Sequence, residues 1–301
     1  RRDAEHAPLP DRSPGDEGAP RRVARVNETA LLQEIEADLF KAGSHPVIYL
    51  EGKTDTPMFF GLLGVPAPRD GIHKGVLVRG LKDSSGSGSS AVRSRVELAI
   101  TKKYPRIYGV VDGDGRALSE LAASFDPPFP GPLFTWKGYC LESLLVKTGW
   151  PTTWGPSPDW KHVLLEYAPY VVLNRIFLDI KDKLDTLHLS RFNRPILNEP
   201  LKTVQEVTAA LERDKHLLGE YDVASHFARE VESFQSAVAR SLDEGHALVD
   251  GKWLVNVFAP GRLGVSFKPQ ACLDSWITHA ATVGGLAEVR ALWERITGQP
   301  P

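Results

Sequence analysis

Two short acidic motifs carry most of the chemistry this sequence offers. VIYLEGKTD occupies residues 47–55 and RIYGVVDGDGR residues 106–116. Each is an apolar, β-favouring run that stops at a carboxylate beside a glycine. In Asp112-Gly113-Asp114 the carboxylates stand at i and i+2, which in extended backbone puts both on one face, within reach of one metal ion. The neighbouring glycines let backbone approach a ligand without a side chain in the way. Asp-Gly pairs also make ordinary turns, but a turn does not explain why IYGVV runs to the same sheet edge as Glu51. Glu51, at the end of VIYL, is placed to bind a cation or to act as general acid or base. Asp55, one helical turn later, either points back to the same place or is a first-turn acid favoured by the helix dipole. Lys53 either neutralises charge on a phosphate or is simply solvated. Glu142, in YCLESLLV, is either a fifth carboxylate completing a second metal site or an ordinary acid at a helix start. Carboxylates gathered in one crevice need a cation, usually magnesium, and the chemistry expected is therefore metal-dependent and directed at phosphates.

The elements that must position these residues follow from periodicity and breakers. Residues 27–40 (NETALLQEIEADLF) read as an amphipathic helix with Asn27 as cap. Residues 47–50 are a short buried strand, and 54–63 the helix after it. Residues 75–79 are a second strand, 84–90 (SSGSGSS) a flexible loop, and 91–103 a second helix. Residues 107–111 are a third strand and 117–124 a third helix. After the breaker PFPGP come a fourth strand at 133–136 and a helix starting at 141–147. Strands alternating with helices of this length imply an α/β fold with a mainly parallel sheet flanked by helices. Carboxylates at the C-terminal ends of neighbouring strands then converge on one crevice. After Trp150 the pattern turns helical over residues 161–190 and 203–247, with a last helix at 286–296. Residues 251–258 (GKWLVNVF) read equally as a short strand or a buried helix start. The organisation expected is a disordered tail or linker at 1–25, a catalytic domain at 26–150 and a mainly helical domain at 151–301.

Composition sets outer bounds. The chain has 301 residues, 42% hydrophobic and 25% charged, which is ordinary for a globular protein. No apolar run is long enough to span a bilayer and no signal peptide is recognisable, so a cytoplasmic setting is expected. Cys140 and Cys272 alone do not make a disulfide framework. Met58 is the only methionine, so the chain does not begin at an initiator, and whether a further domain precedes it is open. A formal charge of −2 gives no global argument for nucleic acid. Between Arg69 and Arg106, however, nine basic residues face three acidic ones, an excess of six. That stretch is either a basic rim beside the acidic pocket, suited to a polyanion, or a solvated helix face.

Several chemistries are excluded. GLKDSSGSGSS lacks the Gly-Lys-Ser/Thr ending of a nucleotide-binding phosphate loop, although it could donate backbone N–H groups to a phosphate. The nine histidines have neither HxxxH spacing nor cysteine partners, so zinc is not expected. There is no Gly-x-Ser-x-Gly elbow, and nothing marks a serine or cysteine nucleophile.

A strand ending in Glu-Gly, a βα unit and a strand ending in Asp-x-Asp together resemble the Toprim domain of topoisomerases, bacterial primases and several nucleases. The matching segments are LEGKTD (residues 50–55) and VVDGDGR (residues 111–116), while LES (residues 141–143) is similar to the third acidic motif of OLD-type nucleases. The layout is most similar to the stand-alone Toprim effectors of the AriB type, from the PARIS anti-phage system. Those carry a Toprim core followed by helices and act with an ABC-type ATPase. The motif match covers residues 45–147. The resemblance implies that Glu51 is a metal ligand and possible general base, and that Asp112 and Asp114 hold magnesium. It further implies that Asp55 and Glu142 complete a two-metal site, with Mg2+ or Mn2+ as the ions. The function expected is a nuclease acting on DNA or RNA, a toxic effector of bacterial defence, sequestered or activated by an ABC-type ATPase, with a homodimer among the assemblies the resemblance implies. The alternative is a non-catalytic Toprim scaffold that docks to the ATPase. A topoisomerase would need a second module with a transesterifying tyrosine, and the residues after Trp150 read as helices without an obvious one; a primase would need zinc-binding cysteines, which two cysteines do not supply.

Overall fold

Successive side chains of β1 (Val47–Leu50) divide between two apolar layers. Val47 and Tyr49 join one layer, and Ile48 and Leu50 the other. A strand buried on both faces reads as continuous hydrophobic sequence and belongs in the middle of a covered sheet. The computed structural model describes residues 28–81, 88–113, 131–180, 203–213, 215–217, 222–264 and 268–301. The tail at 1–25, the cap Asn27, most of the serine–glycine loop and the helix expected at 117–124 lie outside these.

The sheet has five strands in the order β2-β3-β1-β4-β5, where β2 is Ile72–His73, β3 Val76–Gly80, β4 Ile107–Val111 and β5 Leu133–Thr135. All neighbours are parallel except β2 and β3. The α/β expectation and the mainly parallel sheet therefore hold. β1 and β4 occupy the residues expected of them, whereas β2, only two residues long, carries no periodicity to read.

The chain leaves β1 through α2 (Asp55–Leu63) to β3 on one side, then returns through α3 (Ser89–Thr101) to β4 on the other. Strand order thus reverses between β1 and β4, which opens a crevice at their C-terminal ends. α1 (Glu28–Ala42) and α3 cover one face of the sheet, with Leu31, Ile35, Val92 and Val96 against Val47 and Val111. A polar network lies within this layer. Asp38, fully buried, accepts from Tyr49 Oη at 3.0 Å and pairs with Arg79, while Arg95 pairs with Glu34.

The opposite face holds α2 and the helices of the second half. After β5 come α4 (Leu141–Leu145), α5 (Trp160–Glu166), α6 (Ala168–Ile180), α7 (Val204–Arg213), α8 (Val223–Arg240) and α9 (Leu242–Ala247). α10 runs through Gly251–Trp253, a π-helical turn at Leu254–Phe258, and Ala259–Leu263. Residues 251–258 are therefore helical, which settles the open reading of that segment. α11 (Pro269–Thr282) and α12 (Ala287–Thr297) finish the chain and pack on α2, where Leu286 N–H donates to Leu62 O at 2.6 Å. One apolar core runs without a break from Ile48, Phe59 and Trp136 to Trp253, Trp276 and Trp293. No helix among the described residues is long and apolar enough to cross a membrane.

Candidate active site

The crevice between β1 and β4 is a cleft of about 480 Å³ lined by Glu51, Gly52, Lys53, Thr54, Asp55, Leu81, Gly88, Asp112, Glu142 and Lys252. Each acidic residue reaches it by a different local route. Glu51 ends β1 and Asp112 ends β4, and the Asp112 N–H donates to Glu51 Oε1 at 2.8 Å, joining the two strand tips. Residues 51–54 form a tight turn into α2. In it the Gly52 N–H donates to Asp55 Oδ2 at 2.8 Å and the Asp55 N–H donates to Gly52 O at 3.1 Å. Thr56 Oγ1 accepts from the Gly80 N–H at 2.8 Å, which ties the start of α2 to the end of β3. Glu142, buried, sits in the first turn of α4.

Glycines at the starts of two helices set the cleft's walls, Gly88 by lining it and Gly251 by packing beside it. Gly88, ahead of α3, has φ +56°, and a Cβ there would lie 2.8 Å from Glu51 Oε2. Backbone in that region disfavours side chains, and a Cβ there would push the Glu51 carboxylate aside. Gly251, at the start of α10, abuts α4: a Cβ there would lie 2.1 Å from Ser143 N and 2.6 Å from Glu142 Cβ. Asp250 caps α10 by accepting from the Lys252 N–H at 2.9 Å, and Lys252 enters the cleft from the helical half of the chain.

The charges are unbalanced. Burial, then the neighbouring Glu142 and Glu51, push the Asp55 carboxyl up to about 7. Burial and the charges of Glu51, Asp55 and Glu142 likewise hold the Asp112 carboxyl well above the usual carboxylate range. Burial alone would lower the Lys252 ammonium, but Glu142, Asp112 and Asp250 outweigh it and raise its pKa. Four carboxyl groups therefore crowd a cleft that holds only two cationic side chains, Lys53 and Lys252, and the crowding keeps Asp55 and Asp112 from ionising easily. An all-oxygen donor set of this kind suits a hard divalent cation. Among the described residues no three carboxylate, imidazole or thiol groups stand close enough to hold one ion as they are. The side chains therefore line the cleft without forming a closed coordination shell.

Of the residues singled out in the sequence, Glu51, Lys53, Asp55, Asp112 and Glu142 are brought together here, while Asp114 lies outside the described residues. Four of the nine basic residues between the motifs are engaged away from the cleft. Arg79 and Arg95 turn to Asp38 and Glu34, Lys102 pairs with Glu28 at 3.2 Å, and Arg106 donates to Gly43 O at 3.0 Å. The three acids lie on α1, and the Gly43 carbonyl in the loop after it, so these four side chains help hold α1 against the sheet. Lys252 and Gly88 were missed. Gly88 closes a serine–glycine run read as a loop, and Lys252 lies 110 residues past Glu142 in a segment with no acidic motif. Protein-family models, curated proteins and solved structures each yield no match to this chain. What fold and site define is a class: an α/β protein with a carboxylate-lined cleft at the topological switch point of a mainly parallel sheet, walled on one side by helices of its second half.

Proposed function

We propose that this chain is a Toprim-like, magnesium-dependent nuclease that cleaves phosphodiesters in nucleic acid. The observation that carries the reading is the convergence of Glu51, Asp55, Asp112 and Glu142 in one cleft beyond the C-terminal ends of β1 and β4. Those four, with Asp114 supplied by the Asp-x-Asp motif, are the residues that would hold the metal. When bound, divalent ions supply charge stabilisation for the attacking and leaving oxygens of an in-line displacement. The chain's own side chains do the rest. Glu51, its Oε1 fixed by the Asp112 N–H, is oriented to take a proton from the attacking water. Lys53 at the exposed rim and Lys252 on the helical wall set positive charge against the substrate phosphate, where it opposes the charge that grows in the transition state.

The test is cleavage of plasmid DNA, linear DNA, single strands and total tRNA with magnesium, manganese or chelator. Wild type should cut at least one of these in a metal-dependent way, and Glu51→Gln or Asp112→Asn should abolish the cutting. Cutting that survives both substitutions together would remove the cleft from consideration. By the same resemblance, the nuclease is held by an ABC-type ATPase until triggered. It should co-purify with that partner, and monomeric behaviour beside it would count against the pairing. Carboxylate variants that lose only complex assembly would favour the non-catalytic scaffold.

A further inference from the structure

α10 departs from i→i−4 hydrogen bonding once, between two anchored ends. Upstream, Asp250 caps the helix and Gly251 is pressed against Glu142 and Ser143. Downstream, Phe258 and Ala259 are buried in the core that also holds Trp150 and Trp253. Between them the Ala259 N–H bonds to Leu254 O, five residues back, and Asn256 and Val257 are exposed. Pro260 supplies a cause. It has no N–H to give the Asn256 carbonyl, and in a regular α-helix its ring would collide with that carbonyl. Widening the turn relieves the collision. A π turn amounts to one extra residue in an α-helix, so it rotates one end against the other by about 100°.

We propose that Pro260 and the π turn ahead of it are a positioning device: the extra residue lets Lys252 face the cleft while Phe258 and Ala259 stay in the core. The proposal rests on the reading of the cleft as a phosphodiester-cleaving site in which Lys252 faces the substrate. Pro260 touches nothing in the cleft, and it acts through the helix register. A regular helix would force a choice between the two anchors.

Two readouts separate this proposal from the nuclease reading. The first is zero-length carbodiimide cross-linking of Lys252 to Glu142 or Asp112, located by peptide mass spectrometry, which needs no activity. The second is steady-state cleavage. Val257→Ala, which leaves the helix length unchanged, should keep both the cross-link and the rate. Deletion of Val257 combined with Pro260→Ala should lose the cross-link and lower kcat by on the order of 100-fold, with KM little changed. Pro260→Ala alone removes the cause without changing the length, and should lower cross-link yield and kcat together. It decides the matter if the deletion variant does not fold. An undiminished cross-link in the folded variants overturns the positioning role. A lost cross-link with unchanged cleavage overturns the role of Lys252. A wild type that cuts nothing overturns the nuclease reading, and the cross-link still reports whether the π turn places Lys252.

Discussion

Asp55 and Asp112 keep their protons at pH values where a carboxylate in water has lost them, because burial and then the neighbouring charges of Glu142 and Glu51 disfavour further anions in one small cleft. That repulsion opposes folding when no cation is bound. Thermal melts at pH 8 should therefore show magnesium raising Tm by several degrees, since a ligand that binds only the folded state stabilises it by mass action. Asp55→Asn should raise the cation-free Tm and shrink the magnesium response; an unchanged response would remove Asp55 from the site. Gly88 makes a second test. Alanine there needs the strained φ of +56° and crowds Glu51 Oε2. Gly88→Ala should cost about 1–2 kcal/mol by urea titration and lower kcat further than that loss explains. The carboxylates were legible in the sequence because each ends an apolar strand or opens a helix. Gly88 was not, because nothing in a serine–glycine run says which glycine meets Glu51.

Among the elements, β1 and β4 were readable to the residue, since a strand buried on both faces leaves an uninterrupted apolar run. α11 was not expected. Its buried Cys272, Leu273, Trp276 and Ala280 keep helical spacing, but the segment carries no motif to draw attention to it. The meeting of α4 and α10 was equally invisible, for it depends on a glycine whose importance appears only when Ser143 N is found where its Cβ would be. Gly251→Ala should force the two helices apart, destabilising the protein by about 1–3 kcal/mol. It should also reduce cleavage, since Lys252 moves with the helix. A variant that melts like wild type and cuts like wild type would show that the contact gives way without consequence.

In the whole molecule, sheet and helical half share one core. Trp276, fully buried against Trp150 and Trp154, donates from Nε1 to Gly149 O at 2.9 Å. Trp276→Ala should cost about 3–5 kcal/mol, with the loss reported by one cooperative transition rather than two. His246 ties the same core to pH. It is buried edge-on against Trp160, and burial, aided by Lys147, lowers its pKa from 6.5 to about 4. Between those values the unfolded chain binds the extra proton and the folded chain does not, so stability rises with pH through the window and falls on acidification from about 6.5 towards 4. The full effect is on the order of 3 kcal/mol, and urea midpoints of His246→Phe should lack it between pH 4 and 7. The two ends of the sheet carry a different consequence. Among the described residues its outer strands are only two and three residues long, which leaves each of them little ladder to offer. Among the described residues an extended peptide or a second copy has little there to extend, so strand addition, the commonest route by which exposed sheets aggregate, is poorly served at both edges, and helical surfaces are the better ground for association.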